Sequence, residues 1–156
     1  MKRAVYPGSF DPITNGHLDI LKRSLQVFEE VIVLVADNKD KKSRFSVKER
    51  VEMIKEATKG LKGVKVASTS GLTVEFAKKN HAKHLIRGLR AVTDFEYEFA
   101  LAEANRYIDD SIDVVFFMAN SESSFISSSI IDEMSKSNVD ISKLVPKSVV
   151  KKYKKK

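Results

Sequence analysis

Cysteine and tryptophan are absent from this 156-residue chain, and proline occurs three times. Without cysteine, the protein can form neither a disulfide framework nor a metal site with thiolate ligands. Long apolar runs are missing as well: no stretch reaches the ~18 residues of a membrane-spanning helix, and the N-terminus lacks the apolar core of a signal peptide. We therefore expect a cytoplasmic protein with no membrane partner.

The net charge of +7 comes from one end of the chain. Residues 143–156 contain seven lysines and no acidic residue, whereas residues 1–142 contain 21 basic and 21 acidic residues. A lysine-rich terminus is typical of a solvated end, so we expect no nucleic-acid partner. An RNA-binding module is the alternative from another function class, and it predicts an affinity that depends on residues 143–156 and falls steeply with salt.

Short apolar runs alternate with segments of helical periodicity along the chain. The β-branched runs predict strands over residues 3–6, 31–36, 64–67, 84–87 and 112–118. Helical spacing predicts a helix that begins near Gly16 and a second behind Ser46, which forms a capping box with Glu49. Four more helices are predicted: residues 72–79, 93–107 with a capping box of Thr93 and Glu96, 126–136, and 141–153 with Pro146 in the first turn.

This alternation predicts a single-domain α/β fold over residues 1–156, in which residues 143–156 form a lysine-rich C-terminal helix or tail. We expect a doubly wound, Rossmann-like, five-stranded parallel sheet with helices on both faces. Such sheets bind ligands at the carboxyl ends of the strands, near the point where the strand order reverses. The segments that follow the predicted strands are therefore the candidates for the functional site.

The segment after the first predicted strand, residues 7–16, carries two prolines and two glycines. A helix that begins near Gly16 places His17 in its first turn, where free backbone N–H groups and the helix dipole favour an anion. An imidazole there can donate a hydrogen bond to a phosphate oxygen. A surface or capping histidine is the alternative interpretation. Neither the dinucleotide-binding fingerprint nor the Walker P-loop pattern is present in the segment.

Two further segments offer groups that bind phosphate. Arg87 and Arg90 flank Gly88 at the end of the fourth predicted strand, and guanidinium groups bind phosphate through paired hydrogen bonds. Ser127, Ser128 and Ser129 supply hydroxyl and backbone N–H groups at the start of a predicted helix. Taken alone, the two arginines are equally compatible with solvated or ion-paired side chains, and serines before a helix are most often caps.

Three blocks of the chain resemble one family. Thr14–His17 matches the [TH]-x-G-H signature of the nucleotidyltransferase superfamily. More specifically, the chain resembles the bacterial-type phosphopantetheine adenylyltransferases in YPGSFDPITNGH at residues 6–17, LIRGLRAVTDFEYE at 85–98 and SFISSS at 124–129. The resemblance covers essentially residues 2–150.

The resemblance implies a role for individual residues of each block. It implies that His17 stabilises the transition state and that Lys41 and Arg90 are further catalytic residues. The implied acceptor site consists of Ser9, Lys41, Thr73 and Arg87. The implied ATP site consists of Ser9, Phe10, His17, Gly88, Leu89, Arg90, Glu98, Ser123, Ser124, Phe125, Ile126, Ser127, Ser128 and Ser129.

The chain departs from the family pattern at two positions. Ser123 stands where relatives usually have an aromatic residue, and Asp132 stands where they tend to have a basic one. A phosphate contact by that basic residue would be lost here or moved to Lys136, one turn further along.

The reaction implied by the resemblance is transfer of the adenylyl group of ATP to 4′-phosphopantetheine, which gives dephospho-coenzyme A and pyrophosphate in the penultimate step of coenzyme A synthesis. Mg²⁺ is expected to arrive with ATP, because the sequence shows no dedicated carboxylate cage. The resemblance also suggests a homohexamer. A related adenylyl- or cytidylyltransferase that acts on another small phosphate acceptor is the alternative function.

Overall fold

The computed structural model describes residues 1–122 and 126–155, without the side chains of Val92 and Thr93. Strands and helices alternate through these residues, with the bounds β1 (Arg3–Gly8), α1 (Asn15–Ser24), β2 (Glu30–Ala36), α2 (Val47–Ala57), β3 (Val64–Thr69), α3 (Thr73–Lys79), β4 (His84–Leu89), α4 (Val92–Ile108), β5 (Asp113–Met118), α5 (Ser128–Lys136) and α6 (Lys147–Lys155). All five predicted strands are confirmed, and their ends lie within two residues of the predicted ones.

The strands form one parallel sheet in the order β3-β2-β1-β4-β5, which confirms the doubly wound α/β fold. The order reverses between β1 and β4. There, β1 pairs with β2 along its whole length but with β4 only at Ala4 and Val5. The carboxyl ends of β1 and β4 therefore separate at the point where such sheets bind their ligands.

Helices cover the sheet on both faces. Successive residues of a strand point to opposite faces. Accordingly, Tyr6 and Val33 pack in the larger core with apolar residues of α1, α2, α5 and α6, whereas Val5 and Leu34 pack in a smaller core with α3. Within residues 1–122 and 126–155, the helices are too short or too polar to cross a membrane.

One predicted helix start and one predicted capping box are wrong. The last helix begins at Lys147 rather than at residue 141, because Pro146 has no N–H to donate to an earlier carbonyl and disfavours helical backbone at the residue before it. The fourth helix begins at Val92, and its N-cap is Ala91, whose backbone is extended. Thr93 therefore lies inside α4 and is not the N-cap of a capping box.

The lysine-rich end is partly packed against the rest of the protein. Val149 of α6 is fully buried, and the hydroxyl of Ser148 donates a hydrogen bond of 2.9 Å to the carbonyl of Met53 in α2. Lys151 pairs with Glu56 at 3.1 Å, and Lys152 pairs with Glu52 at 3.7 Å. Two of the seven lysines thus balance acidic residues of α2.

Candidate active site

A cavity of about 430 Å³ lies where the ends of β1 and β4 separate. Residues from the first turns of α1 and α5 and from one face of α4 also line it. Ten of the residues predicted for the site come together here: Ser9, Phe10, His17, Arg87, Gly88, Arg90, Glu98, Ile126, Ser127 and Ser128. The structure therefore assembles the three sequence blocks around one cavity.

Other predicted site residues lie elsewhere. Among the residues that the structure describes, the lining of the cavity does not include Lys41, Thr73, Leu89 or Ser129. Lys41 is exposed in the loop after β2, and Ser129 is exposed in the first turn of α5. Thr73 is the first residue of α3. Ser123, Ser124 and Phe125 fall outside the described residues.

Thr14 and His17 form a closed pair at the start of α1. The Thr14 hydroxyl accepts a hydrogen bond of 3.3 Å from the backbone N–H of His17, while the backbone N–H of Thr14 donates one of 3.0 Å to Nδ1 of His17. This is a capping box in which an imidazole takes the place of the usual glutamate. The alternative interpretation of His17 as a capping residue is thus correct for one of its two ring nitrogens.

The same pair fixes the protonation of His17. Because Nδ1 accepts the Thr14 N–H, the proton of the neutral ring lies on Nε2. Burial of the ring and, to a smaller extent, the positive charges of Arg90 and Arg87 together lower the pKa of His17 to about 4. The histidine is therefore a neutral hydrogen-bond donor at physiological pH.

Phe10 holds the imidazole from the side. Its ring meets that of His17 edge to face at 4.9 Å and that of Tyr6 at 5.3 Å. The backbone of Phe10 has a φ of 45°, in the left-handed region that costs a residue with a large side chain ~1–3 kcal/mol. Burial of the ring, which is 2% exposed, offsets this strain and keeps Phe10 beside His17.

Arg87 is bound by Glu98 across the cavity wall. Nε and Nη2 of Arg87 donate to the two carboxylate oxygens of Glu98 at 2.7 and 2.5 Å, and Nη1 donates to the carbonyl of Pro7 at 3.2 Å. Burial alone would lower the pKa of Arg87, but the hydrogen bonds and charge of Glu98 raise it overall. Three of the five N–H groups of the guanidinium are used, which leaves one on each Nη for a ligand.

Arg90 connects the first turn of α4 with the segment before α5. Its backbone N–H donates to the Asp94 carboxylate at 3.2 Å, and its Nη1 donates to the carbonyl of Ile126 at 3.3 Å. The Nε of Arg90 lies 3.7 Å from the same carboxylate, and this pair is half exposed. The guanidinium is thus held at the cavity by one carboxylate and one carbonyl.

The serines at the start of α5 have separate roles. The hydroxyl of Ser127 accepts a hydrogen bond of 3.2 Å from the backbone N–H of Ile130, so Ser127 is the N-cap, as the alternative interpretation of these serines had it. Ser128 donates to the carbonyl of Pro12 at 2.9 Å. This second bond fixes the anion-favouring end of α5 to the loop that precedes His17.

Asp132 lies outside this cavity, in a cluster between α5, α6 and the loop after β2. Its carboxylate pairs with Arg44 at 2.9 Å and with Lys136 at 3.0 Å, and it accepts a hydrogen bond of 3.2 Å from the Tyr153 hydroxyl. Lys136 is therefore held by Asp132, and neither residue lines the cavity around His17. The unusual acid at position 132 stabilises the packing of these three segments.

Sequence reasoning assigned no role to Asp94 or Tyr97 in the lining of the cavity, or to Asp11 in the loop after β1. Asp94 and Tyr97 line the cavity beside Glu98, and their spacing of three and four residues along α4 is a signal that places all three on one helix face. Asp11 is 7% exposed, and its carboxylate accepts the backbone N–H groups of Arg44 and Phe45 at 2.8 and 2.9 Å. Asp11 thus connects the first loop with the loop that carries Lys41.

The described residues contain no group of three or more histidine or acidic side chains that could hold a metal ion. The two carboxylates that line the cavity, those of Asp94 and Glu98, both pair with arginines. The protein therefore offers a divalent cation no cage of its own in this part of the chain.

Comparisons with known proteins agree with this architecture. Residues 5–134 match the family model described as cytidylyltransferase-like. A phosphopantetheine adenylyltransferase of Nautilia profundicola is 50% identical over 149 residues, which are 96% of this chain and 97% of that protein. One of Clostridium botulinum is 50% identical over 150 residues, which are 96% of this chain and 94% of that protein.

A solved structure shows the same fold at low identity. It is that of a protein assigned as a nicotinate-nucleotide adenylyltransferase of Vibrio parahaemolyticus, with a TM-score of 0.69 and 19% identity. The alignment covers 98% of this chain and 99% of that one. The likeness supports the doubly wound fold.

Proposed function

Because the chain belongs to the phosphopantetheine adenylyltransferase family, we propose that its central cavity transfers the adenylyl group of ATP to 4′-phosphopantetheine, with His17 stabilising charge at the α-phosphate. The observation that carries this assignment of His17 is the ring itself: its Nδ1 accepts a hydrogen bond from Thr14, its pKa is lowered, and it lines the same cavity as Arg87 and Arg90 at the point where the strand order reverses.

The step is a direct in-line displacement. An oxygen of the acceptor phosphate forms a bond to the α-phosphorus of ATP, the bond from that phosphorus to the bridging α–β oxygen breaks, and pyrophosphate leaves with the electron pair. A phosphate monoester is already largely dianionic at neutral pH, because its second pKa is about 6. The nucleophile therefore needs no general base, and the enzyme contributes positioning and electrostatic stabilisation.

His17 suits this task as a neutral donor. Its Nε2–H can bond a non-bridging oxygen of the α-phosphate, where negative charge grows in the transition state. Because the pKa of His17 is held near 4, the ring is neutral in the substrate-free protein at neutral pH. Its role is a hydrogen bond of fixed direction, with no covalent step.

The remaining cationic groups divide between the two substrates. We assign the acceptor phosphate to the free N–H groups of Arg87 and to Lys41, which the loop after β2 would bring to it. We assign the ATP phosphates to Arg90 and the N-terminus of α5. Ser9, which lines the cavity between the two groups, would contact the incoming phosphate.

Mg²⁺ would enter with ATP. The described residues provide no carboxylate cluster for it, so its ligands would be phosphate oxygens and water, and its positive charge would offset the repulsion between the two polyanionic substrates.

We also propose that the protein forms a homohexamer and works in the cytoplasm. The long helix α4 supports an assembly, because Phe95, Tyr97, Phe99 and Tyr107 are all exposed on it, the last of them 94%. Light scattering coupled to size-exclusion chromatography measures the mass directly, and a monomeric mass would reject the assembly.

The experiment that tests the function is an assay of pyrophosphate release from ATP with a panel of acceptors: 4′-phosphopantetheine, nicotinate mononucleotide and small alcohol phosphates. We expect 4′-phosphopantetheine to have the highest kcat/KM. A preference for any other acceptor would support the alternative function and reject the proposed one.

A further inference from the structure

Arg50 of α2 is a buried cation behind the cavity. Arg50 is 2% exposed. Among residues 1–122 and 126–155, no carboxylate forms an ion pair with it. A guanidinium without a counter-ion is costly to bury, because the charge loses its hydration. Its retention therefore calls for compensating hydrogen bonds.

Those hydrogen bonds join Arg50 to three segments: the loop after β1, the end of β2 and the residues just before α2. Nη1 donates to the carbonyls of Ser9 at 2.8 Å and of Ala36 at 3.3 Å. Nε donates to the carbonyl of Phe45 at 3.1 Å, and Nη2 lies 3.5 Å from the hydroxyl of Ser43. One planar group thus holds the loop after β1, the end of β2 and the start of α2 together.

Two of these segments are the two ends of one loop. Ala36 is the last residue of β2, and Ser43 and Phe45 precede α2; between them lies the exposed loop that carries Lys41. Arg50 therefore fixes both ends of the Lys41 loop. Its Nη1, which binds the carbonyl of Ala36, also binds the carbonyl of Ser9, and Ser9 lines the cavity.

We propose that Arg50 is a positioning residue that sets the Lys41 loop against Ser9 and thereby the site of the acceptor phosphate. The guanidinium is suited to this because its donors point in fixed, separate directions within a plane. A lysine keeps the charge, but its three donors leave a single nitrogen, whereas the carbonyl of Phe45 and those of Ser9 and Ala36 are bound by two different nitrogens of Arg50. The kinetic part of this inference rests on the proposed function.

The test compares Arg50→Lys and Arg50→Gln with Met53→Ala as a matched control. Met53 lies one turn further along α2 and is buried in the same core, so its truncation destabilises the helix without touching the loop. We expect Arg50→Lys to raise the KM for 4′-phosphopantetheine about tenfold, the scale of a small misplacement of a binding group, and to leave the KM for ATP within about twofold. Met53→Ala should leave both KM values within about twofold of wild type.

A second readout does not require activity. Limited trypsin digestion under native conditions cuts after Lys39, Lys41, Lys42 and Arg44, and we expect Arg50→Lys and Arg50→Gln to be cut there about tenfold faster than wild type, at equal fraction folded. If wild type fails to adenylylate 4′-phosphopantetheine, the proposed function fails, and this digestion still tests Arg50.

Four results would overturn the positioning role. One is a folded Arg50→Lys protein with wild-type KM values, and another is wild-type trypsin sensitivity of the loop. A third is an equal rise of both KM values in Arg50→Lys and Met53→Ala. The fourth is that neither Arg50 variant folds while Met53→Ala does, which would assign Arg50 to the core alone.

Discussion

The backbone N–H of Thr14 donates a hydrogen bond of 3.0 Å to Nδ1 of His17, while the hydroxyl of Thr14 accepts one from the backbone N–H of His17. The first and last residues of the Thr-Asn-Gly-His motif therefore close on each other. A signature that reads as a catalytic motif is also the N-terminal cap of α1. The cap turns Nδ1 inwards, and the proton of the neutral ring must be on Nε2.

His17 should remain a neutral Nε2–H imidazole well below neutral pH. Burial and the nearby arginines hold its pKa near 4, against an ordinary value of 6.5. In a ¹⁵N-edited NMR titration, we expect the ring signals that vanish in a His17→Gln variant to stay those of the Nε2–H tautomer at pH 6. Titration of these signals near pH 6.5 would contradict the geometry.

The same shift has a consequence for stability. Between pH 6.5 and about 4, His17 is protonated in the unfolded chain but remains neutral in the folded protein. Lowering the pH through this range therefore favours unfolding. Urea unfolding of wild type and His17→Gln should therefore show a difference in unfolding free energy that shifts against wild type as the pH falls from 6.5 to 4. A constant difference over that range would show that the folded and unfolded pKa values are alike.

Glu98→Ala should destabilise the protein and weaken acceptor binding. It leaves the guanidinium of Arg87, whose side chain is 26% exposed, without its carboxylate, and we expect a loss of about 2–3 kcal/mol in the free energy of unfolding. The KM for 4′-phosphopantetheine should rise because Arg87 loses its orientation. The control is Lys151→Ala, which breaks the exposed pair with Glu56 and should cost under about 0.5 kcal/mol. Equal losses in the two variants would remove the special role of the Arg87–Glu98 pair.

Lys41→Ala should weaken the binding of the acceptor and leave the binding of ATP nearly unchanged. A lysine that holds the acceptor phosphate contributes through charge, so its removal should raise the KM for 4′-phosphopantetheine about tenfold, the effect of ~1.4 kcal/mol. The KM for ATP should change little. Lys62→Ala, an exposed lysine before β3 at the opposite edge of the sheet, makes the same change in net charge and should alter neither KM. If both variants raise the KM for 4′-phosphopantetheine alike, the effect comes from the overall charge of the protein and not from a contact of Lys41 with the phosphate.

Asp132→Asn should destabilise the contact between α5, α6 and the loop after β2. Burial alone would raise the pKa of Asp132, but the bonds from Lys136, Arg44 and Tyr153 lower it overall. The stability it provides is therefore complete above the ordinary pKa of 3.8 and is lost as the pH falls through the lowered one. At pH 7, we expect about 1–2 kcal/mol less free energy of unfolding.

The control for this variant is Asp110→Asn, an exposed change at the end of α4 that should stay within about 0.5 kcal/mol of wild type. The difference in the free energy of unfolding between wild type and Asp132→Asn should become smaller as the pH falls below 3.8. If this difference in unfolding free energy does not depend on pH, the destabilisation comes from packing and not from the charge of Asp132.

The sheet and its ligand-binding edge could be predicted from the sequence because local patterns encode them. Val31–Ala36 and Val114–Met118 are nearly continuous apolar runs, which is typical of strands in a parallel sheet, although the edge strand β5 is only partly buried. The carboxyl ends of parallel strands share one edge, so Ser9, Arg87 and Ser128 could be expected near each other before their positions were known.

The pairings inside the site could not be predicted, since they depend on tertiary geometry. Arg87 and Glu98 lie on a strand and a helix, and no periodicity predicts that one carboxylate would accept hydrogen bonds from both Nε and Nη2 of the guanidinium. The same holds for Arg50, one of three basic residues in the amphipathic helix α2, whose four acceptors lie outside that helix. Lys41 shows a different limit: its place in the loop after β2 was clear, but loop conformation decides whether its side chain lines the cavity.

The decisive measurement is the kcat/KM of His17→Ala in the pyrophosphate-release assay with ATP and 4′-phosphopantetheine, made on protein shown to be folded by circular dichroism and urea unfolding. Loss of one donor to the transition state should lower kcat/KM by ~10²–10³, while loss of half the capping box should cost only about 1 kcal/mol of stability. A folded His17→Ala protein with the full activity of wild type would remove His17 from the mechanism.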